Sequence, residues 1–400
     1  MNKTMKTAPG ASVLRRVLRD RSVRSGLFAF SLTRALVFAV FVLATNFIMV
    51  AEPKLMGEFQ EPVIVLHGRN IVQRLRPLAI RGDGGWYVGT AMRGYERRAF
   101  DATEQHNWAF FPLYPLSLRV AAAITGGYLL TGILLSNIFF LPALILSHKT
   151  ALAFGLDEEG ADRAVFYLAA FPTSYFFSLP QTESLFLLLT VGSFYAALRE
   201  RWWLAGAVGA LATATRFSGI FLLPALAVLY WQRHGFRPRS NVLGLLLVPL
   251  GLLSFMLYLR MITGNAFAFK DVLAAWGRTT GFFMRTLFEY VIHPRVVSES
   301  WNFRLLNFAA AVTALACGVV FAKRRQWSLS LYTLLSIIAP LSSLLLQSHA
   351  RYVLTIFPVF MLLAEWGRSS LVDQTIRAIF IVLLGLMSAL FATNFSIALS

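Results

Sequence analysis

Two carboxylates and several cations lie in or beside apolar segments of this chain, where an ionisable side chain is costly and usually serves a function. Asp83 stands among glycines in RGDGGWY, and Glu183 stands in FPTSYFFSLPQTES. Arg216 follows ATAT, and the segment HARY carries His349 and Arg351. A carboxylate can accept a proton in a reaction, and a planar guanidinium is well suited to binding phosphate. These residue types together predict a site in which arginines bind a lipid phosphate and two carboxylates face the same pocket.

Each of these residues also has an ordinary structural explanation. An aspartate among glycines is a common turn residue, and Glu183 in the first turn of a helix would be favoured by the helix dipole. A lone Arg216 between apolar segments would extend its charge to the membrane interface. HARY would form a solvated turn between two apolar runs. The local sequence leaves these alternatives open.

Composition identifies the chain as an integral membrane protein. Hydrophobic residues make up 57% and charged residues 14% of its 400 residues, whereas soluble domains are about 45–50% hydrophobic and about 25% charged. The net charge is +18, and proteins that bind nucleic acid are often strongly basic as well. Here the basic residues cluster in short loops between apolar runs, which favours membrane lipids as partners and no nucleic acid. The one cysteine, Cys317, excludes a disulfide framework and a cysteine metal site.

The apolar runs predict an all-α polytopic protein with about eleven transmembrane helices, within a range of about ten to thirteen. Segment 110–126 is ambiguous, and we interpret it as a helix on the outer surface, because this places the basic loops inside. The N-terminal basic segment is then cytoplasmic, and the first run is a retained span rather than a signal peptide. The predicted spans lie at 26–50, 127–148, 164–179, 184–198, 202–215, 218–231, 241–262, 305–322, 328–346, 352–366 and 375–394.

This topology predicts one transmembrane domain over residues 1–400, and the expected location is the plasma (inner) membrane. Residues 1–25 form a cytoplasmic basic N-terminus, and residues 51–126 form a first outer loop that holds Asp83. A second large outer loop covers 263–303. Both loops are rich in aromatic residues, which predicts amphipathic helices lying in the interface. Every polar cluster singled out above falls on the outer face.

The order of these motifs resembles the PIG-V/Gpi18 family, the GPI mannosyltransferase 2-like members of the GT-C glycosyltransferases. The similarity rests on Asp83, then RGYE at 93–96, AFFPLYP at 109–115, FPTSYFFSLPQTES at 171–184, ATATRFSG at 212–219 and HARY at 349–352. It extends from about residue 30 to about residue 366, and AFFPLYP and the FPTSYFFS…TES block are its most specific parts. Gly82 departs from the family, in which an aromatic residue usually precedes the acid. Trp86 is expected to take over stacking against the sugar.

The resemblance implies a GT-C fold, a site open to the exterior and a polyprenyl-phosphate-linked sugar, most simply mannose, transferred with inversion. It also implies a glycan, glycolipid or protein acceptor. Asp83 is the expected general base, with Glu183 orienting the acceptor, sharing that role or binding a cation. Expected ligands of the donor phosphate are Arg216, His349, Arg351 and Tyr352. Expected contacts of sugar and acceptor are Trp86, Tyr87, His106, Asn107 and Gln181, although the residues alone favour an ordinary polar surface residue at His106 over a ligand.

Other interpretations share several of these features. A GT-C enzyme that uses another lipid-linked sugar, such as arabinose, glucose or galactose, fits the same motifs. A flippase or transporter of lipid-linked sugars would also combine many spans with recognition of a lipid phosphate. Transporters often show repeated halves with broken helices at matching positions, and this chain has no such repeat. No spacing of His, Asp and Glu specifies a metal, so a divalent cation is an open option and no cofactor is assigned.

Overall fold

A computed structural model describes residues 19–47, 75–235, 237, 239–292 and 303–394. These residues form α-helices joined by turns and 3₁₀ helices, with no strand among them, so the expected all-α class is confirmed. Parts of four predicted segments lie outside the described residues: 1–18 of the N-terminus, 48–50 of the first span, 51–74 of the first outer loop and 293–302 of the second. The helices are α1 Arg21–Phe47, α2 Gly84–Arg93, α3 Leu113–Thr125, α4 Leu129–Ala153, α5 Glu158–Ala170, α6 Glu183–Leu198, α7 Trp202–Thr213, α8 Leu222–His234, α9 Leu250–Thr263, α10 Ala268–Asp271, α11 Phe283–Ile292, α12 Phe303–Lys323, α13 Trp327–Leu341, α14 His349–Val353, α15 Phe357–Trp366 and α16 Ser370–Ala392.

Five of the described helical segments are long and apolar enough to cross a membrane. They are Arg21–Thr45, Leu129–Ala153, Ser240–Thr263, Arg304–Lys323 and Ser370–Ala392. Five shorter apolar helices, α3, α6, α7, α13 and α15, have 10–17 residues each. A helix of that length rises about 15–25 Å, less than the roughly 30 Å of the hydrocarbon core. A multi-pass membrane protein is therefore confirmed, while the count of about eleven spans stays a prediction.

The two aromatic loops contain short helices, as expected. In the first loop these are α2 and α3, and in the second they are α10, the 3₁₀ helix Val272–Trp276 and α11. Segment 113–125 buries one face of α3 and leaves Leu116, Val120 and Ile124 exposed. This one-sided burial agrees with a helix lying on a surface. Its position relative to a bilayer stays a prediction.

The core is organised around α4, which packs against α1, α5 and α6. Helix α7 packs between α6 and the 3₁₀ helix Ser240–Leu247, α12 pairs with α13, and α16 covers α1 and α5. Close approach of α7 depends on small residues, because a Cβ atom on Gly206 would lie 1.8 Å from the carbonyl oxygen of Gly244. The segments that join these helices gather the charged residues described next.

Candidate active site

Four charged side chains from four separate segments meet in one group, here called the carboxylate–arginine cluster: Asp83, Glu183, Arg216 and Arg351. Arg351 Nη1 donates to Asp83 Oδ2 at 2.5 Å, and Arg351 Nε donates to Glu183 Oε1 at 2.6 Å. Arg216 Nη1 donates to the same Glu183 oxygen at 3.2 Å. Arg351 therefore bridges both carboxylates, and Glu183 bridges both arginines. The structure brings together the two predicted acids and two of the predicted phosphate ligands.

Burial differs sharply within the cluster. The side chain of Glu183 is 0% exposed and that of Arg351 is 5% exposed, whereas Asp83 is 37% exposed. Burying charge is costly unless it is paired, and the mutual pairing of these groups offsets that cost. Burial alone disfavours the charged guanidinium, yet Glu183 and Asp83 hold the pKa of Arg351 above its ordinary value. The cluster thus contains an accessible carboxylate, Asp83, held by an interior cation.

Backbone geometry places Asp83 at the N-terminal end of α2. Gly82 has a φ of +56°, a conformation that other residues adopt only with strain. At Gly84 a Cβ atom would lie 2.3 Å from the carbonyl oxygen of Ala79, so the chain packs here in a way only glycine permits. Helix α16 also holds this turn, because Arg81 Nη1 donates to main-chain carbonyl groups at the C-terminal end of that helix.

An arginine inside the first apolar helix positions the segment that leads to Glu183. Arg34 is 3% exposed and donates to the main-chain oxygen and hydroxyl of Ser174, both at 2.8 Å. It also donates to Ser178 Oγ at 3.0 Å and to the Ala169 carbonyl at 3.2 Å. A side chain from α1 therefore supplies hydrogen bonds to main-chain carbonyl and hydroxyl groups at the break between α5 and α6. The sequence analysis missed Arg34, although a lone arginine within an apolar run was the available signal.

The HARY segment is a buried helical turn, α14, so the alternative of a solvated turn is wrong. Asn307 Oδ1 accepts from the amide of Ala350 at 2.9 Å, and Thr173 Oγ1 donates to the carbonyl of Ala350 at 3.2 Å. Ser348, directly before the turn, has a φ of +64°, which costs a non-glycine residue about 1–2 kcal/mol. Contacts from two neighbouring segments hold this turn and with it Arg351.

His349 is fully buried, and neither of its ring nitrogens has a hydrogen-bond partner among the described residues. Burial, reinforced by the nearby positive charge of Arg278, lowers the pKa of His349 to about 4. The ring is therefore neutral near pH 7. A neutral His349 can contribute to phosphate binding only through its N–H group, and its role as a phosphate ligand stays a prediction.

Arg278 is a cation near the site that the sequence analysis did not single out. It lies just after the 3₁₀ helix Val272–Trp276, and its Nη2 donates to the hydroxyl of Tyr352 at 2.9 Å. The Tyr352 ring also lies 5.8 Å from the guanidinium of Arg216. No carboxylate in the described part of the chain forms an ion pair with Arg278. A lone arginine in a long loop carries no signal of this placement in the sequence.

Several predicted sugar and acceptor contacts border the cluster. The Tyr87 hydroxyl lies 3.3 Å from Thr182 Oγ1, and burial raises the pKa of Tyr87 to about 12, so this group stays a neutral hydroxyl. Gln181 is fully buried beside Gly84, and neither atom of its amide has a partner among the described residues. Glu183 Oε2 is likewise without a partner there. Gln181 and Glu183 therefore retain hydrogen-bonding capacity beside the cluster.

The aromatic neighbour Trp86 is only partly buried. Its ring stacks on Phe110 with centroids 5.5 Å apart and meets Trp276 edge-on at 5.9 Å. These three rings come from the first and second loops, so the two loops pack together beside Asp83. A partly exposed indole next to a carboxylate is suited to stacking against a sugar ring.

His106 and Asn107 lie in a separate group. His106 Nδ1 lies 2.6 Å from Glu96 Oε2, and Asn107 Nδ2 donates to the carbonyl of Gly94 at 3.0 Å. Trp108 Nε1 donates to the carbonyl of Glu96 at 2.9 Å. These bonds brace the first loop, and none of those found for His106 and Asn107 in the described residues reaches the carboxylate–arginine cluster. A direct role of the two in binding sugar stays a prediction. The described residues also contain no group of three His, Cys, Asp or Glu placed to hold a metal ion.

Fold and side-chain geometry together define an all-α, multi-pass membrane protein with a cluster of paired charged side chains in the segments that join its helices. No family model matches the chain. It is 31% identical over 169 residues to GPI alpha-1,6-mannosyltransferase 2 of Cricetulus griseus and 29% identical over 167 residues to that of Mus musculus. Each matched stretch covers 39% of this chain and 32% of the relative, so the chain spans about a third of the length of these curated relatives. The expected resemblance is thereby confirmed over the matched stretch, while its predicted extent from about residue 30 to about residue 366 stays a prediction.

Among solved structures, the chain is similar to the oligosaccharyltransferase of Archaeoglobus fulgidus, in a form tethered with an acceptor peptide and in the apo form. The TM-scores are 0.44 and 0.43 at 14% identity, over 93% and 90% of this chain. The aligned part is 54% and 55% of the length of those structures. By their names, the relatives found by sequence are mannosyltransferases.

Proposed function

We propose that this protein is an integral-membrane glycosyltransferase of the GT-C type. It moves a sugar, most simply mannose, from a polyprenyl-phosphate donor to a hydroxyl group of a glycan, glycolipid or protein acceptor. The observation that carries this proposal is the carboxylate–arginine cluster with its one accessible acid. The similarity to a mannosyltransferase supports the choice of sugar.

Asp83 is the proposed general base. Its Oδ2 atom is occupied by Arg351, while no described residue donates to Oδ1, which leaves that atom for an acceptor hydroxyl. Arg351 fixes the carboxylate in one orientation, as a catalytic group requires. Glu183 is completely buried and shared by two arginines, which suits it to holding these arginines and to accepting a bond through its free Oε2 atom.

The proposed reaction is a single displacement. Asp83 Oδ1 takes the proton of the acceptor hydroxyl as the hydroxyl oxygen attacks the anomeric carbon of the donor sugar. The bond between that carbon and the phosphate oxygen breaks, and its electron pair leaves with the polyprenyl phosphate. Attack from the side opposite the leaving group inverts the anomeric configuration.

The departing phosphate gains negative charge and needs cations that are not already neutralised. Arg278 meets this condition best, because it forms no ion pair with a described carboxylate and is held by Tyr352. Arg216 and Arg351 each carry a carboxylate partner, so their proposed share is smaller and depends on their remaining N–H groups. His349 would add a neutral N–H donor.

Sidedness follows from the charge distribution of the sequence. With the basic loops inside, the N-terminus is cytoplasmic and the cluster faces the exterior of the plasma (inner) membrane. The donor would then present its phosphate at the membrane surface and its isoprenoid tail between the apolar helices. This orientation is part of the proposal.

The test is transfer of label from polyprenyl-phosphate-mannose in membranes that contain the native acceptor. Wild type is compared with Asp83→Asn at equal protein level, and Asp101→Asn is the control, since Asp101 lies in the same loop with a similarly exposed side chain. Loss of a general base typically lowers the rate by about 10²–10⁴-fold. Arg278→Gln should raise the donor KM, whereas Arg285→Gln, in the same loop and 65% exposed, should not.

The proposal predicts a labelled product with wild type and Asp101→Asn, and none above background with Asp83→Asn. Turnover by Asp83→Asn within tenfold of wild type would exclude Asp83 as the base. Transfer from a different lipid-linked sugar alone would retain the enzyme class and correct the sugar. Movement of an intact lipid-linked sugar across the membrane, with no transfer from any donor, would replace the proposal by a flippase.

A further inference from the structure

We infer that a second site, at the opposite end of the helix bundle from Asp83, binds the phosphate headgroup of an anionic membrane lipid. A cavity of about 330 Å³ opens there between α1, α5 and α16. Its volume lies in the lower part of the roughly 300–1,000 Å³ range of small-ligand sites. The residues that define its chemistry are Arg21, Arg24, Arg377, Asp162, Phe28 and Phe166.

This cavity and the candidate active site lie near opposite ends of α16. Arg377 lines the cavity near the start of α16, and Arg81 is bonded to the carbonyl groups of Phe391 and Ala392 near its end. Phe391 lies fourteen positions after Arg377 in the same helix, which is about 21 Å at 1.5 Å per residue. The cavity is therefore independent of the cluster around Asp83.

Two of the three arginines are held by carboxylates. Arg21 Nη2 lies 2.7 Å from Asp162 Oδ2, with Glu158 within 3.7 Å, and Arg377 Nε lies 2.7 Å from Asp373 Oδ1. These pairs leave further N–H groups of each guanidinium available, and they fix its orientation at the cavity. Planar, pre-oriented guanidinium groups are well suited to a phosphate.

Arg24 supplies the charge that the cavity does not neutralise. Within the described residues it forms no ion pair, although it lines the cavity beside Arg21 and Ser25. It is exposed and lies one turn before Phe28 on the same face of α1. An uncompensated cation next to two oriented guanidinium groups favours an anion over a zwitterion.

The apolar residues that line the cavity indicate that the bound anion is a lipid and not a soluble ion. Phe28 is 61% exposed and lies on α1, a helix apolar enough to cross a membrane, so its ring would face acyl chains just below Arg24. Phe166 forms another part of the wall, and the guanidinium of Arg377 lies 4.5 Å from its ring centroid. A basic pocket between membrane helices, with apolar surface directly beneath it, matches a phospholipid headgroup and the first part of its chain.

The experiment measures retention of phosphatidylglycerol by the full-length purified protein in detergent, by native mass spectrometry during a lipid titration. Phosphatidylcholine is the zwitterionic control, and inorganic phosphate is the soluble anion. Arg24→Gln is the test variant, because it breaks no described ion pair. Arg368→Gln is its matched control, since Arg368 is exposed, lies just before α16 at the same end of the bundle and does not line the cavity. The unfolding temperature of each variant verifies that it is folded.

We expect wild type to retain phosphatidylglycerol in preference to phosphatidylcholine. Arg24→Gln should weaken this binding about fivefold, the effect of one arginine near an anionic headgroup, and Arg368→Gln should leave it unchanged. If both variants lost the same affinity for phosphatidylglycerol, the effect would come from general surface charge, and the proposed site would be wrong. Equal retention of phosphatidylglycerol and phosphatidylcholine by wild type would also overturn the proposed site. So would an Arg24→Gln variant that binds less inorganic phosphate but as much phosphatidylglycerol as wild type.

Discussion

Replacing Arg351 by methionine tests the energetic logic of the carboxylate–arginine cluster. The variant keeps the approximate length and apolar bulk of the side chain and removes the guanidinium. Glu183, with no exposure to solvent, would retain only Arg216 at 3.2 Å, and Asp83 would lose the cation at 2.5 Å. Glu183 would then be a buried carboxylate that is paired with one arginine instead of two.

Removing one partner of a buried ion pair typically costs about 3–5 kcal/mol, because an uncompensated charge remains inside. For a large domain, about 1 kcal/mol changes the unfolding temperature by about 2 °C, so Arg351→Met should unfold about 6–10 °C below wild type. Arg285→Met is the control. Arg285 is 65% exposed, and exposed substitutions usually stay within about 0.5 kcal/mol of wild type.

Cys317 provides a built-in probe for this measurement. It is the only cysteine of the chain and is fully buried in α12, so a thiol-reactive fluorophore should label it only when the protein unfolds. Heating the detergent-purified protein with this reagent reports the unfolding temperature of each variant directly.

The double variant Glu183→Gln with Arg351→Met distinguishes the loss of a charge pair from the loss of packing. It removes both charges, so it should be more stable than the sum of the two single changes by about 0.5–3 kcal/mol. Simple additivity, or an Arg351→Met protein that unfolds with wild type, would refute the argument that Arg351 compensates Glu183.

Two further predictions concern the same region. His349 has a folded-state pKa of about 4, depressed by burial and by Arg278, against about 6.5 when unfolded, so its contribution to stability is complete above pH 6.5 and is lost as the pH falls toward 4. The loss is about 1.4 kcal/mol for each pH unit in that window, and His349→Asn should flatten the fall in unfolding temperature between pH 6.5 and pH 5. Gly84→Ala should lower transfer at least tenfold, because its Cβ would meet the Ala79 oxygen at 2.3 Å and shift Asp83. In a radiolabel assay Gly385→Ala, whose Cβ would have no atom within 4 Å, should match wild type.

The helical framework was largely predictable because hydropathy is a local property of the chain. The run predicted at 305–322 is α12 Phe303–Lys323, and the run predicted at 184–198 is α6 Glu183–Leu198. Where a predicted run was interrupted, at 164–179, the structure shows α5 ending at Ala170 and the 3₁₀ helix Ser174–Ser178 following it. Periodicity and apolar length identify such elements without knowledge of their neighbours.

By itself, the sequence determined that this is an all-α membrane protein, and it singled out Asp83, Glu183, Arg216 and Arg351 as candidate functional residues. Only the tertiary structure decided that Arg351 joins Asp83 across 268 positions of the chain, because ion-pair partners are selected by packing between helices. The neutral state of His349 likewise depends on burial supplied by other segments. Arg278 is placed by the contact of its loop with Tyr352 of α14, and Arg34 by the contact of α1 with the break before α6. Charge in a sequence is visible, but its compensation is a property of the folded chain.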